Sequence, residues 1–339
     1  MSALTRLVPL GLKLSLPAYR QGWLRRHTVL TRHIAEVAAN LRFGETDGTP
    51  WIEEPNGQRF HGFWTEGKDA DLFRILAPAM PKNLAAPWFR IARDYVTRYR
   101  FPHMWPDLRP DGARDELGGF HGQHKDSYED LLPETRQALL AAFRPGPCDV
   151  VLDGGCYVGF GAVRMAREAP EGKVYAVEAD ARCHALLCRN LSALPAGNAL
   201  PIHAGLWRES GRMALGTGIA QANSLIADMV SLDDGAEINV TTVDRILEDN
   251  GVDRLDMLSL TINGAEVEAL AGARRALEHH RPRIRLAGWY RRNGERIADT
   301  ARNVLEEADY WVYTSAHGDV LALPREHAAI HHADRISHG

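Results

Sequence analysis

The pattern of apolar and polar positions before residue 126 differs from the pattern that follows it. Residues 1–45 and 84–100 lean towards helix, and between them Pro55-Asn56-Gly57 can form a turn between two β-leaning runs. From residue 126 onwards, short apolar runs alternate with amphipathic stretches of helical period. The pattern predicts three parts: a mostly helical N-terminal domain with a small hairpin (1–125), an α/β domain (126–325) and a histidine-rich tail (326–339).

The α/β part predicts five strands followed by a closing hairpin. The strands are expected at 148–153, 173–179, 199–207, 254–262 and 282–289. The helices are expected at 127–143, 160–168, 180–193, 241–250, 264–280 and 292–308. Residues 310–314 and 320–323 are expected to add a hairpin with an antiparallel edge. Strands that alternate with helices favour a doubly wound, Rossmann-like α/β sheet.

Composition narrows the class of protein. The chain has 339 residues, of which 45% are hydrophobic and 25% charged, as is typical of a soluble globular protein. The net charge of −4 gives no basic field for nucleic acid, so no nucleic-acid partner is expected. The chain has no apolar run of about 18 residues, so no transmembrane helix is expected.

The N-terminal segment and the cysteines bear on location. The apolar N-terminal stretch is broken by Pro9, Gly11, Lys13 and Pro17, which argues against a signal peptide. Because it is basic, the segment 1–32 could at most make peripheral contact with anionic lipid. The four cysteines form no CxxC pair and are too few for a disulfide scaffold, so a cytoplasmic location is expected.

The strongest local signal is a glycine-rich turn after the first strand of the α/β part. Asp153 ends this strand, Gly154 and Gly155 form a tight turn, and Gly159 opens the next helix. A second acid, Glu178, ends the following strand. Glycines let a ligand approach the backbone, and a carboxylate at that strand end can accept hydrogen bonds from both ribose hydroxyls. The combination predicts a ligand that contains adenosine.

Two such ligands are considered. A dinucleotide requires G-x-G-x-x-G, whereas the spacing here is D-x-G-x-x-x-G. An acid before the first glycine repels a pyrophosphate but suits a ligand with a cationic amino acid end. S-adenosylmethionine, with its ammonium, sulfonium and ribose and no phosphate, fits this pattern. A glycine-rich turn that binds no ligand is the structural alternative.

Together these residues resemble the FkbM family of S-adenosylmethionine-dependent methyltransferases. The family turn D-x-G-A-N-x-G is matched by Asp153, Gly155 and Gly159. Residues 240–277 are similar to the family's V-x-T-L-D-x-L-L…D-L-L-K-I-D-V-E-G-A-E…L-x-G-A. Shorter similar segments lie at 204–215 and 223–228.

The resemblance covers roughly residues 130–325. It implies a doubly wound class I methyltransferase sheet, preceded here by an α-rich N-terminal domain. It also implies S-adenosylmethionine as the cofactor, and as the methyl acceptor a hydroxyl of a sugar, a glycan or a secondary metabolite.

The chain departs from the family where catalysis is expected. The family's Lys, Asp and Glu in K-I-D-V-E-G correspond to Ser259, Thr261 and Asn263, and only the later acid Glu266 is kept. The family's acid near the end of the fifth strand is also absent, since residues 285–290 contain none. Besides an O-methyltransferase, these departures are compatible with a catalytically inactive scaffold protein that binds S-adenosylmethionine. A nicotinamide-dependent oxidoreductase is a third alternative.

The candidate catalytic residues are Asn263, Thr261 and His124. Thr261 and Asn263 are expected to face the transferred methyl group, and His124 lies in a segment that forms either a flap over the site or a solvated interdomain loop. Asn263 and Glu266 have a second interpretation, as the N-cap and N3 residues of the next helix. No metal site is expected. The candidate cofactor-binding residues are Asp153, Gly154, Gly155, Gly159, Glu178, Asp180, Gly205 and Leu206.

Overall fold

The computed structural model describes residues 40–63, 91, 131, 133–216, 224–226, 235–315 and 318–327. The helices in these ranges are α1 (Pro133–Ala142), α2 (Phe160–Glu168), α3 (Ala181–Ser192), α4 (Val243–Asp249), α5 (Glu266–Ala271) and α6 (Ile297–Glu307), with a π-helical turn at Ala276–His280. The first strands are β1 (Arg42–Thr46), β2 (Thr49–Glu53), β3 (Arg59–His61), β4 (Val150–Gly154), β5 (Lys173–Glu178), β6 (Ala199–His203), β7 (Gly205–Leu206) and β8 (Gly211–Leu215). The remaining strands are β9 (Ala236–Thr241), β10 (Met257–Leu260), β11 (Arg283–Ala287), β12 (Arg291–Arg292), β13 (Glu295–Arg296), β14 (Tyr310–Thr314) and β15 (Asp319–Pro324).

A seven-stranded sheet forms the centre of the molecule, in the order β14-β15-β11-β10-β4-β5-β6. The chain winds outwards from β4 to β6 in one direction, then returns to β10 and winds outwards in the other. All neighbouring strands pair in parallel except β15, which is antiparallel to both β11 and β14. The doubly wound sheet predicted from the sequence is therefore confirmed, and the switch between its two halves lies at β4 and β10.

Helices cover both faces of this sheet because its central strands are apolar on both sides. Val151 and Met257 point to the face covered by α2 and α3, and both side chains are fully buried. Leu152 and Leu258 point to the opposite face, where they pack with apolar residues of α4, α5 and α6. Strands buried on both faces account for the continuous apolar runs seen in the sequence.

The predicted closing hairpin is present, but its antiparallel strand is not at the edge. β15 lies between β11 and β14, and β14 forms the edge. Because β14 is antiparallel to β15, and β15 is antiparallel to β11, β14 runs in the same direction as the parallel strands. The expectation of an antiparallel edge is thus wrong by one strand position.

Two predicted helices are shorter than expected. The helix expected at 264–280 ends at Gly272, where the backbone approaches the carbonyl of Trp207 so closely that a Cβ would overlap it. The helix expected at 292–308 begins at Ile297. The residues before it form the β12–β13 hairpin around Asn293-Gly294, both with positive φ.

The third predicted strand, 199–207, divides into β6 and β7. β7 leaves the central sheet and pairs with β9, and β9 pairs with β8 to complete a small three-stranded sheet. The sequence prediction does not include this second sheet.

The N-terminal hairpin predicted at residues 55–57 is present between β2 and β3. Residues 42–46, predicted to lean towards helix, instead form β1 and pair with β2. The turn between β1 and β2 uses Asp47-Gly48, both with positive φ, a favoured hairpin sequence. Residues 1–39, 64–90 and 92–130 and the tail 328–339 lie outside the described residues, so the division into domains stays a prediction.

One buried amide fixes the hairpin to the rest of the molecule. The Asn190 side chain accepts a hydrogen bond from the His61 backbone nitrogen (2.6 Å) and donates to the carbonyls of His61 (2.9 Å) and Val158 (2.6 Å). The rings of Phe60 and Phe160 stack beside it with centroids 5.3 Å apart. The β1–β3 hairpin therefore shares a core with α2 and α3.

No helix within the described ranges has both the length and the apolar character required to cross a membrane.

Candidate functional site

The glycine-rich turn lies at the carboxyl end of β4, where an open α/β sheet places its ligands. Gly155 and Gly159 have φ values of 81° and 90°, which side chains rarely permit. A Cβ on Gly155 would overlap the carbonyl oxygen of Thr261. The turn therefore requires glycine for its backbone conformation and for its close contact with the segment after β10.

Asp153 is buried at the base of this turn. One of its carboxylate oxygens accepts a hydrogen bond from the Ser259 hydroxyl (2.6 Å), and the other lies 3.2 Å from the Cys156 thiol, which donates to it. Burial raises the pKa of Asp153, and the nearby Arg285 and the Ser259 hydrogen bond oppose that rise. The carboxylate is thus held in place by side chains of the strand next to it and of its own turn.

Glu178 ends β5 beside the turn. Its two carboxylate oxygens accept hydrogen bonds from the backbone nitrogens of Tyr157 (2.7 Å) and Asp180 (2.9 Å). Burial raises the pKa of Glu178 to about 7. The backbone nitrogens of Gly155 and Cys156 both donate to the Val177 carbonyl, which holds the turn against the end of β5. The two acids singled out in the sequence therefore lie at neighbouring strand ends.

The weaker cofactor candidates lie next to these acids. Asp180 is the N-cap of α3, where its side chain accepts from the Cys183 backbone nitrogen (2.9 Å). Leu206 is buried against Gly154, and Gly205 is enclosed by apolar side chains of β9 and Leu225. Asp180 thus has a structural role, and β7 packs against the turn.

The segment after β10 carries Thr261 and Asn263, both partly exposed. The Thr261 backbone nitrogen donates to the Gly154 carbonyl (2.9 Å). Asn263 has a φ of 55°, and its side-chain oxygen accepts a hydrogen bond from the Tyr290 hydroxyl (2.7 Å). The structure therefore brings both residues to the same end of the sheet as the glycine turn.

The interpretation of Asn263 as a helix N-cap is wrong. α5 begins at Glu266 with Ala265 at the N-cap position and no side-chain cap bond, because the left-handed turn at Asn263 and Gly264 delays the start of the helix. Glu266 is instead fully buried and accepts hydrogen bonds from the backbone nitrogens of Ile262 and Gly264 (both 2.9 Å). Burial raises its pKa to about 7.

The sequence prediction missed Tyr290. Tyr290 follows the end of β11 by three residues, and its hydroxyl lies beside Asn263. The family resemblance draws attention only to an acid at this place. The signal that could have found it is its position, since a polar residue just after a central parallel strand points to the site edge. His124, the other catalytic candidate, lies outside the described residues.

Among the described residues, no group of three or more His, Cys, Asp or Glu side chains is arranged to hold a metal ion.

The described residues fit S-adenosylmethionine. A side chain at Gly154 or Gly155 would overlap Leu206 or the Thr261 carbonyl, so the tight path of the turn requires glycine at both positions. It contains no basic residue to neutralise a pyrophosphate, and acids lie at both strand ends. This donor set suits a ligand with a ribose and a cationic end.

A family model described as the methyltransferase FkbM domain matches residues 153–326, just over half of the chain. The chain belongs to the FkbM methyltransferase family. The resemblance seen in the sequence is thereby confirmed, and the sheet is the doubly wound sheet of a class I methyltransferase. S-adenosylmethionine is the cofactor of this family, and the protein is an S-adenosylmethionine-dependent methyltransferase by membership.

Several solved structures are similar to this chain. A methyltransferase FkbM from Methylobacillus flagellatus KT is 18% identical with a TM-score of 0.42, over 76% of this chain and 71% of that chain. A precorrin-6y C5,15-methyltransferase from Geobacter metallireducens GS-15 is 16% identical with a TM-score of 0.34, over 58% and 90%. Aeropyrum pernix fibrillarin in complex with S-adenosyl-L-methionine is 12% identical with a TM-score of 0.35, over 83% and 97%. A search of curated proteins finds no match.

Proposed function

We propose that this protein is an O-methyltransferase, which transfers the methyl group of S-adenosylmethionine to a hydroxyl of a sugar, a glycan or a secondary metabolite. The observation that carries the proposal is the Asn263–Tyr290 hydrogen bond (2.7 Å) at the sheet edge that also holds the glycine turn and Glu178. Neutral hydrogen-bonding groups at this position suit a neutral hydroxyl as acceptor.

The cofactor role is assigned to the turn and the two strand-end acids. Gly154, Gly155 and Gly159 would hold the amino acid end through their backbone, with Asp153 supplying negative charge beneath it. Glu178 would accept hydrogen bonds from the ribose hydroxyls. The adenine side would be lined by the weaker candidates Asp180, Gly205 and Leu206. When bound, the cofactor supplies a methyl group on a positively charged sulfur.

On the acceptor side, alignment is the main requirement. The residues at this edge would have to hold the acceptor hydroxyl in line with the methyl group of the bound cofactor, and to let the hydroxyl proton pass to a base or to water. The Tyr290 hydroxyl donates a hydrogen bond to the Asn263 side-chain oxygen, and the lone pairs of the Tyr290 oxygen would accept a hydrogen bond from the acceptor hydroxyl. Thr261 offers a second hydroxyl at this edge, and His124 stays a candidate base.

The scaffold alternative also has an observation in its favour. Neither Thr261 nor Asn263 carries a charge where the family has Asp and Glu, and Asn263 is engaged by Tyr290. A protein of this kind would bind S-adenosylmethionine through the same turn without turning it over.

Methyl transfer to fractionated hydroxylated acceptors, followed with cofactor labelled on the methyl group, distinguishes the two functions. We expect labelled product and release of S-adenosylhomocysteine. Glu178→Ala is expected to weaken cofactor binding by at least about tenfold in calorimetry, because the ribose loses its acceptor. Tyr290→Phe is expected to lower kcat by about tenfold or more while leaving cofactor affinity unchanged.

The matched control is Tyr310→Phe. Tyr310 is buried on β14, away from the carboxyl ends of β10 and β11, and its hydroxyl has no hydrogen-bond partner among the residues that the structure describes. Its loss should leave turnover unchanged. Cofactor binding without release of S-adenosylhomocysteine, with any acceptor pool or with cell extract, would favour the scaffold.

A further inference from the structure

A row of three buried polar side chains crosses the middle of the central sheet. Asp153 on β4, Ser259 on β10 and Arg285 on β11 are aligned by the register of the parallel strands, with Ser259 in the middle. Their exposed fractions are 7%, 0% and 4%. The Arg285 Nε donates to the Ser259 hydroxyl oxygen (3.1 Å), and that hydroxyl donates to the Asp153 carboxylate (2.6 Å).

The hydroxyl in this row is polarised from both sides. It accepts from a cation and donates to an anion, and hydrogen bonds in such a chain strengthen one another in a region of low dielectric constant. A buried guanidinium is costly unless it is compensated, so its position beside a carboxylate at the base of the turn needs a reason. Replacement of a buried ion pair by apolar residues is often neutral or stabilising, so stability alone does not account for this pair.

The row also accounts for a departure from the family. The family motif that residues 240–277 resemble has Lys where this chain has Ser259, on the strand beside Asp153. In this chain the cation, Arg285, is on the strand on the other side of Ser259, and the Ser259 hydroxyl connects it to Asp153.

We infer that Arg285 and Ser259 are positioning residues of the cofactor site: Arg285, acting through the Ser259 hydroxyl, keeps the Asp153 carboxylate ionised and fixed at the base of the glycine turn for the cationic amino acid end of S-adenosylmethionine. In this role the pair replaces the family's lysine. The inference rests on the proposed cofactor function of Asp153.

Other titratable and charged groups around the row also affect the protonation of Asp153 and Arg285. Arg164 and Glu168 on α2 and Asp319 on β15 act on Arg285, and the Cys156 thiol faces Asp153 from the turn. Burial raises the pKa of Asp153 and lowers the pKa of Arg285, and each opposes the shift of the other. Removal of the guanidinium therefore removes the largest of the interactions that oppose burial, and raises the pKa of Asp153 further.

The first test is Arg285→Met, which keeps much of the volume and removes the charge. Calorimetry with S-adenosylmethionine from pH 5.5 to 8.5 should show a dissociation constant at least about tenfold higher at pH 7. Relative to the wild type, whose binding also depends on Glu178, the pH midpoint of binding should move upwards, because Asp153 ionises at higher pH in the variant. A purely structural defect would weaken binding without moving this midpoint, and that result would overturn the inference.

The matched control is Arg283→Met on the same strand. Arg283 is mostly buried, with 16% of its side chain exposed, and pairs with an acid, Asp149, but it lies at the amino end of β11, away from the turn. Its loss should lower the melting temperature and leave the dissociation constant and its pH midpoint unchanged. An equal shift of the midpoint in both variants would contradict a specific role for Arg285.

The decisive test exchanges the two residues. Ser259→Lys combined with Arg285→Ser moves the cation back to the family's position and keeps the net charge. We expect this double variant to recover cofactor affinity to within about threefold of the wild type and to restore the pH midpoint. A folded double variant that binds as poorly as Arg285→Met would refute the inference. If Arg285→Met does not fold, Ser259→Ala removes the hydrogen bonds between Arg285 and Asp153 without removing the charge. It should move the pH midpoint of binding in the same direction.

Failure of the proposed function gives a different result. If the wild type does not bind S-adenosylmethionine, the proposed function fails. The effect of Arg285 on the ionisation of Asp153 is then tested without cofactor. A higher pKa of Asp153 in the folded state lowers stability as pH rises, so the wild type should gain in melting temperature over Arg285→Met between pH 5 and pH 8. A difference in melting temperature that does not change with pH would refute the effect of Arg285 on Asp153, whatever the result for cofactor binding.

Discussion

Gly155 meets two requirements at once, a positive φ and direct contact with the Thr261 carbonyl. Gly155→Ala should therefore destabilise the protein by about 3 kcal/mol or more and prevent cofactor binding, because the turn must move away from β10. Gly197→Ala is the matched control, since Gly197 also has a positive φ but has open space around its Cβ position. It should cost only about 1 kcal/mol. Chemical denaturation of both variants measures the difference, and equal losses would show that the contact does not matter.

Glu266 makes folding depend on pH. Its pKa is raised to about 7 in the folded state from an ordinary value of 4.5, so the folded protein holds the proton more tightly than the unfolded chain. Its contribution to stability is complete below about pH 4.5 and is lost as pH rises through 7. Relative to Glu266→Gln, the wild type should lose melting temperature between pH 5 and pH 8. A difference that does not change over this range would rule out titration of Glu266.

At the level of single residues, the sequence predicts the site residues whose positions follow from the backbone. It misses the hydrogen bonds between side chains that are distant in the sequence. The glycines and Glu178 follow from strand ends and spacing, which are local properties. The Asn263–Tyr290 bond and the Ser259–Arg285 bond join residues 27 and 26 positions apart, so no local pattern contains them. The N-cap interpretation of Asn263 fails because Asn263 and Gly264 both have a positive φ, which the residue pattern does not reveal.

Among the secondary-structure elements, the attachment of the N-terminal hairpin is the most sensitive to mutation. Asn190→Ala removes the partners of two His61 backbone groups and of the Val158 carbonyl, and should cost roughly 2–4 kcal/mol. Hydrogen exchange should accelerate in β2 and β3. The control is Asn198→Ala, since Asn198 is also buried but its side chain donates to the carbonyls of Ala166, near the end of α2, and Ala169, away from the hairpin. If hairpin exchange accelerates equally in both variants, Asn190 does not have this specific role.

Elements with a clear period and a clear stop are predicted well. α2 was expected at 160–168 and spans Phe160–Glu168, because Gly159 opens it and its apolar face is regular. The helix expected at 264–280 is broken at Gly272 by a tertiary contact that periodicity does not reveal. The sequence does not predict β1, because the composition of residues 1–45 favours helix and masks the turn signal of Asp47-Gly48.

For the whole molecule, the strand alternation was sufficient to predict a doubly wound sheet, because short connections and right-handed crossovers leave few other arrangements. The position of β15 was not predicted, since a hairpin can add to a sheet by either of its strands. The small β7–β9–β8 sheet joins segments about 30 residues apart and has no local signal.

Cofactor binding should stabilise the whole molecule in a pH-dependent way. At a concentration of 100 times Kd, S-adenosylmethionine should add about 2.7 kcal/mol to the free energy of unfolding, and raise the melting temperature by about 5 °C or more. The rise should shrink below pH 7, because Glu178 has a pKa of about 7 and its protonated form accepts hydrogen bonds less well. In Glu178→Gln the rise should be smaller and should depend less on pH. An identical rise at pH 6 and pH 8.5 in the wild type would contradict this role.

The Asn190 amide holds His61 and Val158 at the same time. A displacement of β3 would therefore act on the backbone next to Gly159, a residue that the proposed function assigns to cofactor binding.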